Sequence, residues 1–172
     1  EAGEILTDQE QPYKVFTPFK NKWLRHFEQL KLSFYPSEHS LGEVVKGASY
    51  PFPSLEKVGF KKSNILIPPM TLDGQIISKY DEQRDYPAIN GTSKLGIHLR
   101  HGTISVRHAV KAGSDQSATW LNELIWREFY MMILAHFPRV VDHAFKPKYD
   151  LIPWRQDEEG FDAWCTGTTG YP

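Results

Sequence analysis

The 172 residues contain one cysteine, Cys165, so no disulfide can form within the chain. Thiols used this sparingly, with no metal-ligand spacing, fit a reducing compartment. No apolar run approaches the roughly 20 residues that a membrane-spanning helix needs. The first residues, Glu1-Ala2-Gly3-Glu4, have neither the basic start nor the apolar stretch of a signal peptide. These absences predict a cytoplasmic protein with no membrane partner. Net charge is also scarce at −1, so no global basic field announces nucleic acid, and any such affinity must come from a local patch. Histidines are present but share no cage with cysteine or carboxylates, so no metal site is expected.

What the chain does have is aromatic side chains, at 13% with five tryptophans, enough for a thick core or for stacking surfaces. Its length suits one domain with a real core. The longest helical run extends from about Ser117 to Phe137, where Pro138 ends it. At about 100° per residue, Trp120, Glu123, Arg127 and Tyr130 fall on one side, with Trp126 at its edge. Leu121, Leu124, Ile125, Phe129 and Met132 fill the opposite side, so the helix is apolar almost all round and belongs among others. It nevertheless carries Glu123, Arg127 and Glu128, and buried charges need partners. Glu123 and Arg127 stand in the favourable order for a pair within one helix. Two readings follow. Either this is a core helix whose charges pair with each other, or two indoles, a carboxylate and a guanidinium line a pocket for a flat aromatic ligand carrying an anionic group.

In chain order, Thr17-Pro18 is a helix start with Thr17 as N-cap, and Phe19, Trp23 and Phe27 make one apolar face to about Leu30. From Lys31 to Pro69, prolines break the pattern into a surface-running linker, with a short helical candidate at Ser54–Gly59. A helix is expected from Gly74 to Asp85, stopped by Pro87, with Tyr80 half-buried on its apolar side. Asn90-Gly91-Thr92-Ser93 reads as a turn and then a helix start capped by Thr92 or Ser93, a place where free N–H groups and hydroxyls can receive an anion. Further helices are expected at Lys94–Arg100, Ser105–Ala112 and Asp157–Cys165. Between Asp85 and Asp115 there is no acidic residue, whereas Lys94, Arg100, Arg107, Lys111, His98, His101 and His108 all lie there. That window is either a basic surface for DNA phosphates or two solvated helix faces.

Four phrases carry a resemblance: PYKVFTPFKNKW, YDEQRDYPAINGTSKLG, WLNELIWREFY and the ending WCTGTTGYP. Together and in this order they resemble the photolyase/cryptochrome family, flavoproteins that repair DNA or signal in response to blue light. The resemblance implies a mainly α fold. Residues 1–70 would be an irregular, Pro-rich interdomain linker with one helix. Residues 71–172 would be the N-terminal half of a helical bundle-like domain that binds flavin adenine dinucleotide (FAD), its C-terminal half lying beyond these residues. It assigns Tyr80, Thr92, Ser93, Lys94, Leu95, Gly96 and Trp120 to the cofactor. Glu123 and Trp126 become catalytic, the carboxylate hydrogen-bonding a pyrimidine dimer and the indole stacking on it. Arg84, Glu123, Trp126, Arg127 and Tyr130 face DNA. Where Gly96 stands, relatives commonly carry Ser, so a side-chain contact is lost there.

The function implied is light-driven splitting of cyclobutane pyrimidine dimers in damaged DNA, with the electron drawn from reduced FAD, by a longer and monomeric enzyme. The base must be extruded from the stack, at a cost of a few kcal/mol. By itself this stretch is expected to be inactive. The alternatives are a blue-light-sensing cryptochrome and a cofactor-free helical interaction domain.

Overall fold

The computed structural model describes residues 3–43, 47 and 51–171. Parts of the Pro-rich linker at 44–46 and 48–50, the first two residues and Pro172 lie outside the described residues. The chain is helical, as expected. Among the described residues the one β contact is an isolated antiparallel bridge between Leu6 and Pro12. No helix there is long and apolar enough to cross a membrane.

The organising element is α6, Ala118–His136. Ser117 caps it, its hydroxyl accepting the Trp120 N–H at 3.2 Å. Pro138 starts a separate 3-10 turn immediately after it. α6 buries Trp120, Leu121, Leu124, Ile125, Phe129 and Met132, the stripe expected of a helix enclosed by others. Two helices make the largest contacts with it. α1, Phe16–Gln29, contributes Phe19, and α5, Val106–Gln116, contributes Ala109 and Val110. α5 and α6 approach closely because Gly113 has no side chain. A Cβ there would stand 2.9 Å from the Trp120 ring and 3.1 Å from the Leu121 Cα.

Several boundaries differ from the sequence reading, each for a physical reason. α1 begins at Phe16 with Val15 as its uncapped N-terminal neighbour, so Thr17 is inside the helix rather than its cap. Phe16 is drawn in because its ring stacks on Trp126 of α6, and Pro18 remains in the first turn, where its missing N–H costs nothing. The expected helix at 74–85 is two short pieces, α2 (Gly74–Ser78) and α3 (Tyr80–Gln83), joined at Lys79. Asp73 caps α2 through the Gln75 and Ile76 N–H groups, and Ile77 is fully buried. Ser54–Gly59 forms turns rather than a helix, since Pro53 and Gly59, with φ +91°, leave too few residues to nucleate one.

α4 covers Gly96–His101, and neither Thr92 nor Ser93 caps it; Lys94, at φ +51°, turns the chain between those residues and the helix. α5 runs past Ala112 to Gln116, carried on by the close packing at Gly113, and Ser105 lies just before it as its cap rather than inside it. α7, Glu158–Thr166, is capped by Asp157 and ended by Gly167 at φ +72°.

Candidate cofactor cleft

Three separate stretches, one of them α6, meet at one cleft. Tyr80 comes from α3, Thr92 to Gly96 and Leu99 from the turn into α4, and Trp120, Glu123, Leu124 and Arg127 from α6; together they enclose a cleft of about 260 Å³. Position four apart on one helix face explains why Trp120, Glu123, Leu124 and Arg127 appear together. The Thr92–Gly96 turn is anchored on both flanks. Leu95 is buried in the core, and Gly91 lies so close to α3 that a Cβ would meet Gln83 at 2.6 Å.

The expected Glu123–Arg127 pair is not what forms. Glu123 Oε1 instead accepts from Arg84 Nη1 at 2.7 Å, across from α3, and Arg127 Nη2 donates to the Leu99 carbonyl at 3.4 Å. Two tertiary partners within reach displace a pair within one helix whose worth is only a few tenths of a kcal/mol. Arg84 also lies over the Tyr80 ring at 5.6 Å. Tyr80 first, with Asp85 and Glu123 behind it, raises the Arg84 pKa above its ordinary value, so its charge is fixed. Arg84 is thus placed at the rim of the cleft, held by Glu123.

The free polar groups of the cleft could receive an anion. Lys94 and Arg127 have no carboxylate partner among the described residues, and neither the Thr92 nor the Ser93 hydroxyl has a hydrogen-bond partner there. One cation and two free hydroxyls on one turn, with Arg127 across the cleft on α6, fit a phosphate group. The Trp120 indole, 4% exposed, supplies an apolar wall. Gly96 meets no heavy atom within 4 Å of a built Cβ, so the position could take the larger side chain expected there. The volume is below the roughly 300–1,000 Å³ usual for ligand sites, so the cleft suits part of a large cofactor.

Trp126 and Tyr130 are not in this cleft. Trp126 stacks on Phe16 with ring centroids 3.4 Å apart and 7° between planes, and lies 5.6 Å from the Tyr130 ring. The structure therefore brings together Tyr80, Thr92, Ser93, Lys94, Leu95, Gly96, Trp120, Glu123 and Arg127, with Arg84 at the rim, and sets Trp126 and Tyr130 on a neighbouring face. Sequence reasoning missed Leu99 and the Phe16 contact, and it placed Leu124 on the opposite side of the helix, whereas Leu124 lines the cleft. Leu99 carried no signal, whereas Phe16 stands in the phrase PYKVFTPFKNKW and could have been weighed.

The histidine-rich window holds no metal cluster among the described residues. His98 is buried, its Nε2–H donating to the Pro68 carbonyl at 2.8 Å while Nδ1 meets the Thr103 hydroxyl at 2.9 Å. His108 stacks on Phe34, Arg107 lies over Tyr35, and Lys111 pairs with Asp115 at 2.5 Å. Most of the window is thus spent on packing, leaving Lys94 for the cleft and Arg100 beside it.

Comparison with known proteins gives this geometry a context. Residues 120–172 match the family described as the FAD binding domain of DNA photolyase. Over 99% of its length the chain is 33% identical to a deoxyribodipyrimidine photo-lyase of Escherichia coli and 31% identical to one of Halobacterium salinarum. Over 57% of its length it is 38% identical to a deoxyribodipyrimidine photo-lyase of Neurospora crassa. Over nearly its whole length the chain is similar to DNA photolyases. The chain spans 40% of the length of the bacterial and the archaeal relative and 18% of the fungal one. FAD is the cofactor named for the matched domain, and the free hydroxyls and cations of the cleft fit the phosphate part of such a group.

Proposed function

We propose that this chain forms part of the FAD site and the adjoining damage-recognition face of a photolyase that splits cyclobutane pyrimidine dimers in DNA. The observation that carries the reading is convergence. Tyr80, the turn at 92–96 and the α6 face at 120–127 are far apart in sequence, yet they line one cleft whose free groups suit an anionic, aromatic ligand. The bound flavin would supply the light-driven electron. The residues of this chain bind and orient. Thr92, Ser93 and Lys94 hold phosphate oxygens, and Trp120 closes the apolar side. Glu123 offers a carboxylate to dimer N–H groups and later stabilises negative charge through them, while Arg84 fixes its direction. Arg127, tied to the Leu99 carbonyl, adds positive charge on the DNA-facing side.

Phe16 covers one face of the Trp126 indole, so an extruded dimer stacks on that face only if Phe16 gives way. Extruding a damaged base costs less than extruding a sound one, which favours lesions before any contact forms.

The test is a titration of the chain with FAD, followed by tryptophan quenching and by gel filtration. A partial cleft should bind weakly, with quenching at equilibrium but little flavin retained on the column. Lys94→Glu should weaken the quenching at least tenfold. Equal quenching in wild type and Lys94→Glu, or none in either, would sink the assignment of this cleft.

A further inference from the structure

A second concave surface lies at the far end of α6, outside the cofactor cleft. It is a groove of about 680 Å³ lined by Lys14, Val15, Phe137, Arg139, Phe145, Lys146, Pro147 and Lys148. No acidic side chain lines it, in a chain whose net charge is −1. Its floor is aromatic: Phe137 and Phe145 meet edge to face with centroids 5.3 Å apart. Phe145 is 38% exposed and the neighbouring Tyr149 is 45% exposed.

The rim is held in place by its own contacts. Arg139 donates to the Ala144 carbonyl at 2.9 Å and to Asp150 at 3.1 Å, and Asp150 in turn accepts the Ala144 N–H at 2.7 Å. His143 approaches the same carboxylate at 3.6 Å. Asp150 therefore answers Arg139, whereas Lys14, Lys146 and Lys148 have no carboxylate partner among the described residues. Each lies over a ring instead, Lys14 over Phe137 at 5.6 Å, and Lys146 and Lys148 over Tyr149 at 6.0 and 5.2 Å.

We infer that this groove binds a single-stranded stretch of nucleic acid. Lys14, Lys146 and Lys148 meet successive phosphates, and a base rests against the exposed part of the Phe145 ring. An acidic peptide would satisfy the lysines but leave the rings uncovered. Bases cover rings and phosphates neutralise the rim, the combination by which single strands are held without sequence preference. The groove also continues a surface: Lys14 and Val15 lead directly into Phe16, which stacks on Trp126. The inference does not depend on the cofactor reading, since the two sites share no residue.

A fluorescein-labelled oligothymidylate tests it, with binding to the full chain followed by fluorescence anisotropy across salt concentrations. Lys146→Glu with Lys148→Glu should lower affinity at least tenfold and flatten the salt dependence by about one to two ions. Phe145→Ala should lower it about fivefold or more, the range for one lost stacking partner. Lys61→Glu with Lys62→Glu, the same charge change on an exposed segment elsewhere, should have little effect. Far-UV circular dichroism confirms that each variant is folded, and Lys146→Gln with Lys148→Gln replaces the reversal if it is not. The inference is overturned if both double variants lose affinity alike, if wild type does not bind, or if poly-L-glutamate competes as well as unlabelled oligonucleotide.

Discussion

Arg84 and Glu123 stand 39 residues apart and meet at 2.7 Å, tying α3 to α6 across the mouth of the cleft. Both side chains are substantially exposed, at 36% and 40%, so solvent screens the pair and its worth is set more by placement than by energy. A double-mutant cycle of Arg84→Ala and Glu123→Ala should give a coupling of about 1 kcal/mol or less by chemical denaturation. A coupling of several kcal/mol would mean that the pair holds the fold together, and would remove the reason to assign it to positioning.

Two glycines that look alike in the sequence should behave oppositely. Gly113→Ala forces a Cβ to within 2.9 Å of the Trp120 ring and 3.1 Å of backbone, so α5 and α6 must separate. A loss of about 1–3 kcal/mol is expected. Gly96→Ala meets nothing within 4 Å and lies at the first residue of α4, so it should be neutral or stabilise by about 0.4–1 kcal/mol. Thermal melts of the two variants decide it; the ordering reversed would contradict the packing described here.

The helix at 118–136 was legible because its apolar pattern, cap and terminating proline all agree. Three of that helix's cleft-lining residues, Trp120, Glu123 and Arg127, were legible too, from their spacing on one face and from the family phrase, whereas Leu124 was read on the opposite side. What could not be read was the partner of each charge. Nothing local to Glu123 marks Arg84, and helix spacing pointed to Arg127, which the fold turns instead toward a carbonyl. The break at Lys79 and the late start of α4 were hidden for a related reason: propensity sees continuous helix, whereas burial of Ile77 and Leu95 sets where the backbone must turn. The basic groove escaped because Lys14 lies more than a hundred positions before Lys146 and Lys148.

The loop at 139–150 should be sensitive to acid. The Ala144 N–H, then Arg139 and His143, hold the Asp150 carboxyl below its ordinary pKa. A depressed carboxylate contributes stability that is present above its unfolded pKa and lost as pH falls through the lower folded value. The loop should therefore stay closed at neutral pH and loosen only below the usual carboxylate range. Proton NMR of the Phe137 and Phe145 rings, followed down in pH, should show their edge-to-face shifts collapsing there. Asp150→Asn should show the loosened signals at neutral pH, and unchanged ring shifts in that variant would refute the role given to the carboxylate.

Trp126 separates packing from recognition. Its face-to-face contact with Phe16 and its edge contact with Phe129 make it a clasp between α1 and α6. Trp126→Ala and Phe16→Ala should each cost about 2 kcal/mol, less than a fully buried aromatic because both rings are half-buried. If the indole does nothing but pack, Phe16→Ala will leave DNA binding untouched. If the indole also receives an extruded base, Phe16→Ala uncovers the face that the base needs. Affinity for an oligonucleotide carrying a cyclobutane dimer should then rise relative to the undamaged strand, even as stability falls. Opposite signs for stability and lesion preference cannot come from a purely structural residue, and the same preference in wild type and Phe16→Ala would confine Trp126 to the core.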